Sequence, residues 1–120
     1  MGQILQARCK CGFQSEELYA GGGFFDFIDN LHAPALCGQC QQLVMLNYLY
    51  SDERCPTCGG EVIYYNDPSL QEPPERKEQP IIFNWRIRDS DTFFILPDTH
   101  YLCPRCGQKR MKFFDCGCWD

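Results

Sequence analysis

No apolar run in the sequence approaches the ~18 residues that a membrane helix needs, which excludes a helical span. Histidine is scarce, with two in 120 residues, and neither His32 nor His100 sits in a recognisable nucleophile or general-base arrangement. The carboxylates are scattered instead of paired in apolar surroundings that would tune them. We therefore expect no enzyme and infer no small-molecule substrate. The start, Met1-Gly2-Gln3-Ile4-Leu5-Gln6, has no charged leader before an apolar stretch, and Gln6 stands where a myristoylation motif takes Ser or Thr. The expectation is a cytoplasmic protein off the membrane, in a reducing compartment where thiols persist. Composition also excludes a coiled coil and a wholly disordered chain.

Cysteine, by contrast, is abundant: ten residues fall in five close pairs, Cys9/Cys11, Cys37/Cys40, Cys55/Cys58, Cys103/Cys106 and Cys116/Cys118. Between the third and fourth pairs, residues 67–80 hold four prolines, six charges and one large apolar residue. Such a stretch buries too little surface to offset ordering and reads as a Pro-rich acidic linker or loop. It divides the chain into an N-terminal module (1–66) and a C-terminal one (81–120). Modules this small need a staple besides their core.

The flanks of the pairs read as strands. Residues 43–50 and 61–65 are rich in β-branched, aromatic or large apolar side chains. Phe83, Trp85 and Ile87 alternate with Asn84, Arg86 and Arg88, and Asp89-Ser90-Asp91 signals a turn, so a hairpin is expected over 81–96. Phe24, Phe27, Ile28 and Leu31 fall at i, i+3, i+4 and i+7, which predicts one short helix. The glycines at 21–23 lack the Lys-Ser/Thr of a phosphate-binding loop and read as a turn.

Two cysteines separated by two residues at a tight turn supply two vertices of a tetrahedral metal site, and the turn's amides point at the sulfurs. Cys55-Pro56-Thr57-Cys58-Gly59 and Cys103-Pro104-Arg105-Cys106-Gly107 both have this form. Clustering into pairs beside such turns favours zinc over disulfides, which prefer distant segments.

Here the chain resembles the zinc-ribbon families, in which a knuckle at the tip of one hairpin faces a knuckle from another across a small sheet. The resemblance rests on Cys37-Gly38-Gln39-Cys40, fourteen intervening residues, then Cys55-Pro56-Thr57-Cys58-Gly59. A shorter copy is Cys103-Pro104-Arg105-Cys106-Gly107 followed by Cys116-Gly117-Cys118, with nine residues between Cys106 and Cys116. It implies a small metal-stabilised β-rich fold of two ribbon-like modules with hairpins and one short helix. One site is expected from Cys37, Cys40, Cys55 and Cys58, and a second from Cys103, Cys106, Cys116 and Cys118. Gln41 replaces the usual glycine after the second pair. Cys9 and Cys11, followed by Gly12 and Phe13, are expected either to face Cys37/Cys40 or the C-terminal pair or to stand as a spare pair beside two sites. About two zinc ions are expected; with His32 and His100 as ligands the donors would suffice for three. Rubredoxins hold iron with similar knuckles, so an electron carrier is a further alternative.

Four thiolates around zinc leave no open position for water, so such a site is structural. The formal charge of −5 falls to about −9 once two four-thiolate zinc sites are counted. That disfavours phosphate contacts and makes a protein the first expected partner, met by the aromatics of residues 24–27 or by the 81–96 hairpin. Nucleic acid is the alternative. Arg105, Lys109, Arg110 and Lys112 interleave with Tyr101, Phe113 and Phe114, the composition of a single-strand stacking surface.

Overall fold

The computed structural model describes residues 2–22, 30–50, 52–73, 80–87 and 91–119. Period-two burial organises its longest strands. In β1 (Gly2–Cys9) the side chains of Leu5 and Ala7 point inward and are fully buried while Arg8 is exposed; in β9 (Lys109–Trp119) Met111 and Phe113 are buried between the outward Arg110, Lys112 and Phe114. These strands pair antiparallel from Gly2↔Trp119 to Cys9↔Met111, so the two ends of the sequence lie side by side. The short strands β2 (Leu18–Ala20) and β8 (Tyr101–Leu102) complete a four-stranded sheet in the order β2-β1-β9-β8.

Between β2 and β8 the chain makes two smaller sheets. The first has β3 (His32–Cys37) at its centre, flanked by β4 (Gln42–Asn47) and β5 (Ile63–Tyr64). A bridge between Gly21 and His32 ties it to the end of β2. The second is the hairpin of β6 (Ile81–Arg86) and β7 (Phe93–Pro97). Its pairs Phe83↔Leu96 and Trp85↔Phe94 face the core, as the alternation predicts, and Ile81, Phe93 and Ile95 remain exposed.

One apolar cluster joins residues from all three sheets, among them Leu5, Leu36, Phe83, Tyr101 and Phe113. Tyr65 is central to it. Its ring meets Tyr101 and Phe113 edge-on, and its buried hydroxyl donates to the Leu102 carbonyl at 2.9 Å. Pairing and core thus cross the boundary expected at 67–80. Part of that stretch is itself anchored: Asp67 caps a 3-10 turn over Pro68–Leu70, and Leu70 is buried. Gln71 bridges to Tyr101, and the Glu72 amide donates to the His100 carbonyl. A single leucine and a capping carboxylate suffice to dock a segment that composition alone reads as linker.

The helix expected from residue 24 onward falls on positions outside the described residues, apart from Leu31, which is buried just before β3. The buried Asn47 amide holds that entry, accepting from the backbone N–H groups of Leu31 and Leu49 and donating to Asn30.

Candidate metal centres

β3 ends on Cys37, and the chain turns through Cys40 before returning along β4. A second turn holding Cys55 and Cys58 precedes β5, which pairs on the other side of β3. The sheet therefore brings the two turns together. The four sulfurs all lie within 4.8 Å of one another, with Cys37 and Cys58 at 3.5 Å and Cys40 and Cys55 at 3.9 Å. This is the site expected from the sequence.

The second centre differs from the expected pairing. Cys9 closes β1, Cys11 follows it in the next turn, and the turn between β8 and β9 carries Cys103 and Cys106. The β1–β9 ladder places the turns opposite each other: Cys9 and Cys106 are 3.7 Å apart, and so are Cys11 and Cys103. Cys116 and Cys118, expected as ligands here, lie toward the other end of β9, where they pair near Gln3 and Ile4. The strand itself separates them from the knuckle, because the extended chain from Lys109 to Cys116 spans roughly 23 Å. The Gly12-Phe13 sequence after Cys11 marks the pair as a knuckle without choosing its partner.

A tetrahedron of sulfurs about 2.3 Å from a central ion has edges of about 3.8 Å. Both clusters match that spacing, and a disulfide, at about 2.05 Å, does not. All ten cysteines are free thiols. Two four-cysteine sites that each fit a metal ion are therefore present.

The turns share a backbone solution. Gly59 and Gly107, directly after the second cysteine of their knuckles, have φ of +71° and +70°, and each donates its N–H to the carbonyl of the first cysteine. Gly12 does the same after Cys11. Gln41 occupies the equivalent place after Cys40 with φ +54°, so a glutamine here takes the left-handed conformation that glycine takes in the other knuckles. At Gly60 a Cβ would come within 2.9 Å of the Gln39 side-chain oxygen, which can swing aside, and 3.2 Å of the Cys58 sulfur, which would have to give by a few tenths of an ångström.

Amides and crowding split the thiols electrically. Backbone N–H groups of Cys58 and Thr57 aim at the Cys55 sulfur and pull its pKa down to about 6, and the Phe13 amide lowers Cys11 to about 7. Cys40 is pushed up to about 12, first by its contact with the Cys58 thiol and then by burial. Burial pushes Cys103 up to about 12 despite amides from Cys106 and Arg105, and raises Cys9 as well. Four thiolates this close cannot coexist without a cation among them, and a divalent ion at the centre supplies the missing charge.

Neither histidine joins a cluster. His100 sits 3.2 Å from the Glu72 carboxylate, and His32 belongs to the β3–β4 ladder. Among the described residues, no third group of three or more candidate ligands forms. Of the four basic residues picked out in the sequence, Arg105 lies over the Phe13 ring at 5.6 Å and Lys112 pairs with Asp98 at 3.2 Å. Lys109 and Arg110 line a shallow pocket of about 230 Å³ with Lys10, Glu72 and His100.

One feature escaped the sequence reading. An open groove of about 380 Å³ is lined by residues that follow Cys11 and Cys40 in the chain, with Phe13, Leu18, Leu43 and Met45 among them, joined by Glu16, Glu17 and Gln41. Its members come from segments far apart in the chain, and no local pattern announces it.

Comparison with family models, curated proteins and solved structures finds no match for this chain. Fold and sites define its class: a small β-rich metal-binding protein with two four-cysteine centres of zinc-ribbon-like form.

Proposed function

We propose that both centres hold zinc as a structural ion and that the protein acts as a cytoplasmic, non-enzymatic docking module for a protein segment. Closed four-sulfur sets support the structural role, since they leave no position for a water or substrate. Rubredoxin-like iron would use the same ligands. A colourless protein with zinc bound and no reversible redox couple disposes of that alternative.

The groove carries the docking reading. It combines apolar side chains (Phe13, Leu18, Leu43, Met45) with Glu16 and Glu17, and each zinc with four thiolates adds a charge of −2 nearby. The occupant that fits is an extended peptide with apolar residues beside lysine or arginine. Selection from a random peptide display library on the zinc-loaded protein tests this. Enrichment of apolar-basic sequences whose binding is lost in Met45→Asp and weakened at high salt supports it; selection without such enrichment overturns it. The exposed Ile81, Phe93 and Ile95 of the hairpin, one of the two surfaces expected from the sequence, serve as the comparison site through Ile95→Asp; the other, residues 24–27, lies outside the described residues.

A second reading has its own observation. Arg8, Arg110, Lys112 and Phe114 share the outward face of the β1–β9 pair, with the Arg8 guanidinium 5.2 Å from the centre of the Phe114 ring. Bases and an aromatic on one sheet face suit single-stranded nucleic acid. A gel-shift series over salt with single- and double-stranded RNA and DNA decides it, and no binding at low salt removes it.

A further inference from the structure

Cys116 and Cys118 belong to neither four-sulfur cluster. Both are exposed, within an unbroken exposed run from Phe114 to Cys118 on a strand whose other half is packed into the core. The register of β9 against β1 slips here: Asp115 pairs with Leu5 and Gly117 with Ile4, leaving Cys116 as the extra residue of a bulge. Gly117 takes φ +135°, which only glycine adopts readily, and its N–H donates to the Asp115 carboxylate at 3.0 Å. Asp115 is thus engaged in shaping the turn. Beyond Met111, β9 has no pairing with β8 among the described residues, so this half of the strand is open on one side.

We propose that Cys116 and Cys118 are one half of a third metal centre, completed by the same two cysteines of a second copy of this chain around one zinc-class ion. The spacing already serves a cluster elsewhere in this molecule, since Cys9-Lys10-Cys11 contributes two sulfurs to a four-sulfur set with a single residue between them. Two thiolates do not satisfy a tetrahedral thiophilic ion, and no third donor of this chain stands with them among the described residues. A twofold axis through the ion supplies an identical pair with no further change in sequence. Four thiols release four protons on binding, and no oxidation is involved. Placement at the far end of β9 keeps this ion clear of the Cys9 centre. The inference rests on the thiol pair's ligand chemistry and not on the groove or its occupant.

Sedimentation and native mass spectrometry of the full chain, prepared under reductant with a slight excess of zinc, test the proposal. The expected species is a dimer carrying five zinc ions, and it becomes a monomer carrying two in the Cys116→Ser/Cys118→Ser double variant. In the wild-type protein, alkylation of Cys116 and Cys118 should slow at least tenfold when zinc is added. A monomer with two ions and both thiols equally reactive with and without zinc overturns the proposal, as does a dimer that persists in the double variant. Fewer than two ions per double-variant chain would count against the two-centre reading instead, and the dimer's dependence on Cys116 and Cys118 would still decide this one.

Discussion

Cys9 and Cys106 stand 97 residues apart in sequence and 3.7 Å apart at their sulfurs. The contact makes the architecture nested. One ribbon-like unit, built on β3, β4 and β5, lies within a second whose two knuckles come from opposite ends of the chain. An ion at the second centre would therefore close a loop of nearly the whole chain, and the stabilisation from closing a loop grows with its length.

Removing ligands should separate the two kinds of cysteine. Cys9→Ser or Cys106→Ser is expected to lower the zinc content from two to one per chain under conditions that keep the chain monomeric, and to reduce the cooperativity of thermal unfolding. Cys37→Ser should remove the other ion. Cys116→Ser should leave both internal centres filled. Metal analysis after gel filtration, paired with near-ultraviolet circular dichroism, checks all three, and loss of an internal ion in Cys116→Ser would contradict the assignment.

The knuckle turns predict opposite effects for reciprocal substitutions. An added methyl at Gly59 or Gly107 meets nothing within 4 Å, so any penalty in Gly59→Ala or Gly107→Ala comes from the left-handed backbone. It should be about 1 kcal/mol. Gln41→Gly relieves the same conformation and should stabilise by up to about 1 kcal/mol, because Gln41 is exposed. Denaturant unfolding of the zinc-loaded protein measures both, and a destabilised Gln41→Gly would show that its side chain contributes more than the turn costs.

Tyr65→Phe isolates one hydrogen bond in the shared core. The ring stays among Tyr101 and Phe113, while the Leu102 carbonyl loses the hydroxyl that reaches it. A loss of about 1–2 kcal/mol is expected, with zinc content unchanged. Calorimetry of the two proteins tests it, and an unchanged midpoint would mean water takes the place of the hydroxyl.

What could be read from the sequence follows the range of the forces involved. The Cys37/Cys40/Cys55/Cys58 site is sequence-local, so spacing and turn chemistry reveal it. The hairpin of β6 and β7 is legible for the same reason: Phe83 and Trp85 alternate with polar residues beside a turn signal. The partner of Cys103/Cys106 is set by the β1–β9 ladder, a pairing between chain ends that no local pattern encodes. Proximity in sequence favoured Cys116/Cys118, but an extended β9 carries that pair away from the knuckle. Leu70 was similarly hidden, since one buried leucine among charges and prolines does not alter a segment's composition.

The thiols also predict a pH profile. In the protein stripped of metal, Cys11 has a lowered pKa of about 7 against an ordinary 9.0, because the Phe13 amide stabilises its thiolate. A lowered value in the folded state contributes stability that is fully present above about 9 and is lost as the pH falls through about 7. Cys103 has the opposite sign: burial raises it to about 12, so the fold disfavours its ionisation and loses stability as the pH climbs above 9. Alkylation of stripped protein followed by peptide mass mapping should find Cys11, which is exposed, modified rapidly as the pH rises through about 7, with buried Cys103 lagging far behind. With zinc bound all four sulfurs of the centre are thiolates held by the ion, so protons compete directly with metal. The two rates should then fall together, and zinc should be released as the solution is acidified. Equal reactivity of Cys11 and Cys103 in stripped protein at pH 7 would show that the Phe13 amide does not reach the sulfur in solution.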